Sequence, residues 1–289
     1  MRKILASVLV VSGIATPALL RAQSPSAPTA ASIIARVVTI PAGTFTMGSD
    51  RGDDDAKPAH AVELSAYSIG RYEVTNAEYK AFIDLTHHPV PSLDKLPAVV
   101  GPDREAMFRH FGERYVWRNG TYPEGKAGHP VVLVRYDDAV AFCQWLSKAT
   151  GKRVHVPTEA QWERAARGGV NGKPYAWGDG LSLEKANYLK DDAAKETSET
   201  KPVGSYAPNA FGLYDMNGNA WEWVADWYKL DDYRASPARD PLGPPAGTMR
   251  IVRGGAWLDG DPALLDLSHR HEAPADTYSY SIGFRVVVE

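Results

Sequence analysis

The side chains best suited to chemistry in this 289-residue chain lie towards its C-terminal end. Asp259, Asp261, Asp266, His269 and His271 fall within thirteen residues. Imidazole changes charge near neutral pH and ligates metals through either ring nitrogen. His269 and His271 stand two apart, so on a strand both project from one face. Two imidazoles and a carboxylate suit a non-haem iron centre. Asp259, His269 and His271 are therefore the candidate catalytic residues. The stretch Ser268-His269-Arg270-His271-Glu272 equally reads as a solvated, hydrogen-bonded strand without chemistry.

Trp257, His269 and Arg270 are candidates for the wall of a ligand pocket, with the long segment Thr86 to Gly128 beside them. Clefts of this kind are lined by aromatics and a few placed polar groups. Trp257 suits plain core packing as well. Arg253 and Arg285 read as partners in buried ion pairs. Glu159 and Glu163 stand at i, i+4 beside Arg164 and Arg167, the spacing of a surface ion network. Cys143 is the sole cysteine, so no intramolecular disulfide is possible. It falls among Ala139, Phe142 and Leu146 and reads as a buried structural thiol. The chain has no Gly-rich phosphate loop, no Cys-x-x-Cys, no His-Glu-x-x-His and no nucleophile elbow.

Local signals place the elements that would hold these residues. Val37 to Ser49 and His60 to Arg71 alternate like strands around a charged loop, Arg51 to Lys57. Thr75 followed by Glu78 is a capping box, and Tyr79, Phe82 and Ile83 give the helix after it an apolar stripe. Glu105 to Phe111 reads as a short helix. Asn119-Gly120 reads as a hairpin turn between Tyr115-Val116-Trp117 and Thr121-Tyr122. Pro130 to Val134 reads as a strand. Asp137 to Lys148 is a second long helix stopped by Gly151. Thr158 and Gln161 box the start of a third, ended by Gly168-Gly169. Beyond Gly169 turn residues dominate. The pattern is an α+β domain with little regular structure in its second half.

The first residues read as a secretory leader. Met1-Arg2-Lys3 is basic, Ile4 to Leu20 is apolar, and Ala22 offers a small residue for cleavage. Residues 1–22 are thus expected to be a signal peptide, 23–36 a flexible lead-in and 37–289 the folded domain. Cleavage leaves no membrane span. The expected location is periplasmic or secreted. Removing Arg2, Lys3 and Arg21 moves the formal charge from −3 to −6. A mildly acidic protein has no field to gather nucleic acid.

The motifs taken together resemble one family. Met47-Gly48-Ser49, Glu73-Val74-Thr75-Asn76, His129-Pro130-Val131 and Pro157-Thr158-Glu159-Ala160-Gln161-Trp162-Glu163 come in order. Tyr175-Ala176-Trp177-Gly178, Asn209-Ala210-Phe211-Gly212-Leu213-Tyr214-Asp215-Met216 and Gly218-Asn219-Ala220-Trp221-Glu222-Trp223 follow. Arg253-Gly254-Gly255-Ala256-Trp257 and Gly283-Phe284-Arg285 close the set. The sequence resembles the formylglycine-generating-enzyme, or sulfatase-modifying-factor, family. The resemblance extends to the family's periplasmic members of the pyoverdine-maturation type.

The resemblance implies a single compact domain of C-type-lectin-like fold. It also implies a structural calcium ion on Asp215, Gly218, Ala220 and Glu222. Carboxylates and backbone carbonyls are the hard oxygen donors calcium takes. A second calcium loop of the family corresponds to Asn187 through Thr200, where the ligand pattern is not recognisable. The family's oxidase uses two cysteines and copper. Here the matching positions carry Asp259 and Leu264. Soft thiolates suit Cu(I), and a carboxylate with an isobutyl group does not replace them. Two expectations follow. One is a divergent oxidase that does not use the two-cysteine copper route, for which iron or copper remains an open cofactor. The other is a non-catalytic module that binds a small molecule or peptide.

Overall fold

A computed structural model describes residues 27–289. The leader and the start of the lead-in lie outside the described residues. In chain order the helices are α1 (Ala30–Ile34), α2 (Asn76–Thr86), α3 (Pro102–Gly112), α4 (Tyr136–Thr150) and α5 (Glu159–Arg167). The strands are β1 (Val37–Ile40), β2 (Gly43–Met47), β3 (His60–Leu64), β4 (Tyr67–Gly70) and β5 (Val154–His155). Then come β6 (Trp221–Trp227), β7 (Met249–Arg253), β8 (His271–Pro274), β9 (Ile282–Gly283) and β10 (Val287–Val288).

Three sheets form among the described residues, with strand orders β1-β4-β10-β5, β2-β3 and β8-β7-β6-β9. The last carries the central strand of the molecule. β6 pairs antiparallel with β7 and parallel with β9. Both of its faces are covered. Trp221 and Trp223 enter one apolar cluster with Tyr79, Phe142, Trp257 and Phe284. Val224 enters the other, with Trp162, Ile251 and Leu267. Successive residues of a strand point to opposite faces, so one strand feeds both clusters. The result is one domain of mixed helix and sheet.

The capping boxes form as their sequences dictate. Thr75 accepts from the Glu78 N–H, and Thr158 accepts from the Gln161 N–H. Gly151 and Gly168 end α4 and α5 in the left-handed conformation. Cys143 is buried in α4, and burial raises its pKa. The Asn119-Gly120 turn is closed by reciprocal bonds between Arg118 and Thr121, although no strands extend from it.

Three expectations are corrected. Residues 30–34 of the presumed lead-in form α1, because Thr29 and Ser32 cap it reciprocally and Ile33 is buried. Pro130 to Val134 is buried but is not a strand. Leu133 takes a left-handed φ of 61°, and only a single bridge, Thr75 to Pro130, forms there. The third concerns α5. Glu159, Glu163, Arg164 and Arg167 are all buried, not a surface network.

Burial of α5 is made possible by distant arginines. Glu163 receives Arg167 and Arg253, each at 2.6 Å, and the Gly48 N–H at 2.8 Å. Burial alone would push its pKa up, but Arg167 and Arg253 outweigh it and hold the carboxyl below its usual range. Arg270 forks onto Glu159 at 2.9 and 3.1 Å. Arg285 grips Glu222 with two bonds of 2.6 Å. Removing one partner of such a pair strands a buried charge, at a cost of about 3–5 kcal/mol. Glu163→Gln is therefore expected to destabilise the domain by about that amount, read from urea unfolding. A loss near zero would show that the group is not buried.

Candidate functional site

The candidate catalytic residues meet on one indole. Trp221 opens β6, and its backbone N–H bonds the Ser281 carbonyl at 2.8 Å. The His271 ring lies 5.1 Å from the Trp221 ring at 30°. The His269 ring lies 5.8 Å from it, and the two imidazoles are 6.2 Å apart at 29°. Only His271 is in a strand, paired with Val252 on β7. The His269 N–H closes a turn onto Asp266. The rings nevertheless share one side, because Arg270 between them is drawn inwards by Glu159.

Asp259 completes the group. Its Oδ2 accepts the Ala256 N–H at 2.8 Å, and its own N–H returns to the Ala256 carbonyl. Burial raises its pKa to about 6, although hydrogen bonds from Ala256 and the Trp221 indole oppose the rise. Leu264, the other position of interest, sits partly buried in a 3-10 turn and packs on the first cluster. Packing against these rings, with His269 beside it, lowers the His271 pKa. Among the described residues, no three His, Cys, Asp or Glu side chains lie together as a metal-holding group. Asp259 faces Ala256, and His269 faces Asp53 at 2.8 Å.

Two expected pocket residues lie elsewhere. Trp257 has no exposed surface and packs among Phe111, Tyr115 and Tyr280. Arg270 is buried in its ion pair and sits 4.3 Å over Tyr233. Of the pocket set, His269 alone keeps some exposure, at 14%. The segment 86–128 does line a cavity of about 150 Å³, through Pro89 to Ser92, Asp94 and Lys95, opposite Tyr278. A larger cavity of about 770 Å³ lies among Tyr67, Tyr136, His155 and Leu242.

The loop from Asp215 to Glu222 is the one where the resemblance implies calcium. Asp215 and Asn219 adopt left-handed backbone, φ 56° and 65°, and a Cβ at Gly218 would stand 2.3 Å from the Asn187 carbonyl oxygen. Glu73, Asp215 and Glu222 are buried or nearly so, around one arginine, Arg285. Burial first, then the Glu222 charge, raises Asp215 to about 6 against the pull of the Gly204 N–H and Arg285. Burial and its acidic neighbours push Glu73 well above the usual range. These carboxylates already have partners: Glu222 accepts from Arg285 and the Trp162 indole, Glu73 from Asn219 and the Ala220 N–H, and Asp215 from the Gly204 N–H. A calcium ion here would have to share Glu222 with Arg285. Asn187, at the start of the other candidate loop, is tied instead to Glu199 and Asn219.

Sequence reasoning missed Trp221 and Asp53 as members of the group. Trp221 stood inside a motif, and only its neighbours drew notice. Asp53 is 216 residues from His269, and no local pattern links them.

Asp259 makes a pH test. Its folded carboxyl titrates at about 6, against roughly 3.9 for an unfolded Asp. The folded chain keeps a proton that the unfolded chain releases, so this contribution is full below about pH 4 and is lost as pH rises through 6. Asp259→Asn is expected to remove that loss. Melting both proteins between pH 4 and 7 should show the wild type falling relative to the variant. Parallel curves would contradict the assignment.

The comparisons with known proteins agree with the geometry. A family model described as the sulfatase-modifying factor enzyme 1-like domain matches residues 23–289. The formylglycine-generating enzyme of Streptomyces coelicolor is 35% identical, over 86% of this chain and 87% of that protein. That of Thermomonospora curvata is 37% identical, over 77% and 82%. The structure of PvdO from Pseudomonas aeruginosa superposes with a TM-score of 0.71 at 32% identity, covering 88% of this chain and 94% of that one. The chain belongs to the sulfatase-modifying-factor family, as a member that lacks the family's cysteine pair.

Proposed function

We propose that this chain is an exported sulfatase-modifying-factor-domain protein of a divergent oxidase type that does not use the two-cysteine copper route. The observation that supports this is the gathering of Asp259, His269 and His271 on the Trp221 indole. Asp259, its pKa raised by burial, stands at one of the positions that the resemblance assigns to the cysteine pair, and the two imidazoles lie beside the Trp221 indole. Catalytic groups are tuned by burial and neighbours in this way. The relatives named formylglycine-generating enzyme and the likeness to PvdO favour an oxidase ancestry. The ligand is a small molecule or peptide. The basic and apolar start of the chain supports export to the periplasm or medium. Asp215 and Glu222, with the Gly218 and Ala220 carbonyls, hold a structural calcium ion in this reading.

One observation favours a second reading, a non-catalytic binding module. No three metal-ligating side chains stand together among the described residues, and Asp259 is already tied into a turn.

Elemental mass spectrometry of the mature, tag-free protein separates the two. The oxidase reading expects stoichiometric iron or copper that disappears in His269→Ala/His271→Ala, beside about one equivalent of calcium on the ligand set above. Calcium alone would overturn it in favour of the binding module.

A further inference from the structure

His269 is the member of the Trp221 group whose proton position the structure defines. Its Nδ1 lies 2.8 Å from Asp53 Oδ2. A carboxylate oxygen accepts, so Nδ1 carries the hydrogen. In the neutral ring Nε2 then presents a bare lone pair. That nitrogen is buried and has no hydrogen-bond partner. The buried Nε2 atoms of His60 and His155 lack a hydrogen-bond partner as well, so what sets His269 apart is its Asp53 partner and its place beside Trp221 and His271.

Asp53 reaches the ring from a charged loop that is fastened at several points. Asp50 Oδ1 accepts the Ala59 N–H at 2.9 Å. The Tyr228 hydroxyl donates to Asp55 Oδ2 at 3.0 Å. Arg270 Nη1 donates to the Asp55 carbonyl at 2.9 Å. Asp53 itself makes no other side-chain contact of this kind, and its carboxylate is 58% exposed. The loop is thus anchored on both sides of a residue whose bond runs to one imidazole.

We propose that Asp53 is a positioning residue for the Trp221 site. It holds His269 as the Nδ1–H tautomer, so that Nε2 accepts a hydrogen bond from a ligand carrying an O–H or N–H donor. The proposal rests on reading this group as a reacting surface. Asp53 acts through the ring and does not touch the ligand. The outer carboxylate fixes the tautomer, and Trp221 and His271 fix the ring plane. This is the usual way a carboxylate orients a working histidine.

Long-range proton–nitrogen NMR of the ¹⁵N-labelled mature protein tests this, with His269 assigned by His269→Ala. The wild type at pH 8 should show Nδ1 protonated and Nε2 as an acceptor. Asp53→Asn offers an N–H to Nδ1 and should shift His269 towards the Nε2–H tautomer. Asp54→Asn, whose carboxylate is 91% exposed and pairs with Lys57, should leave it unchanged. An Nε2–H tautomer in the wild type, or an unchanged ring in Asp53→Asn, would overturn the proposal. The readout needs no turnover, so it stands or fails apart from the oxidase reading. With a turnover assay in hand, Asp53→Asn should lower kcat roughly tenfold or more with KM unchanged. A raised KM with unchanged kcat contradicts a positioning role.

Discussion

The domain depends on carboxylates that would be intolerable in its core without arginines from elsewhere in the chain. Glu163, Glu159 and Glu222 are almost wholly buried, and each is met by a buried guanidinium from Arg253, Arg270 or Arg285. An ionised carboxylate in an apolar interior is costly unless it is paired and hydrogen-bonded. A planar guanidinium meets that need with two parallel bonds. These pairs join α5 to β7 and to the start of β8, and β6 to the C-terminal strands. They fix the relative positions of elements that carry few regular hydrogen bonds of their own.

The candidate site is a consequence of that pairing. Arg270 is drawn inwards to Glu159, and its neighbours His269 and His271 are thereby turned to the side of Trp221. The same β6 strand gives Trp221 to the site and Glu222 to Arg285. One residue further on, Trp223 enters the core and donates its indole N–H to the Val134 carbonyl. Site geometry and core integrity therefore share a strand. A change that loosens Arg270 or Arg285 would reach the imidazoles through the backbone, with no contact to them.

What the sequence disclosed was mostly local. Thr75 with Glu78 and Thr158 with Gln161 specify helix starts within four residues, and both form. Gly151 and Gly168 mark helix ends for the same reason. The order of the motifs disclosed the family. Features set by long-range partners were illegible. The Glu159 and Glu163 spacing looks the same on a surface helix as on a buried one. Only Arg253 and Arg270, 90 and 111 residues away, distinguish them. β6 escaped notice because both its faces are covered, and a strand buried on two faces loses the alternation that marks strands. Pro130 to Val134 misled in the opposite sense, since an apolar run reports burial and not extended pairing. The candidate site was half legible. Asp259, His269 and His271 were visible as chemistry, while Asp53 and the indole that gathers them depended on the fold.

The central claim is that the family's fold persists here without its cysteine–copper reaction. The most direct measurement is to incubate the mature protein with a sulfatase-motif cysteine peptide and oxygen, with and without copper, and to look for formylglycine by mass spectrometry. With Asp259 and Leu264 in place of the cysteines, no formylglycine is expected at any copper concentration. Turnover at a rate that copper restores would contradict the account.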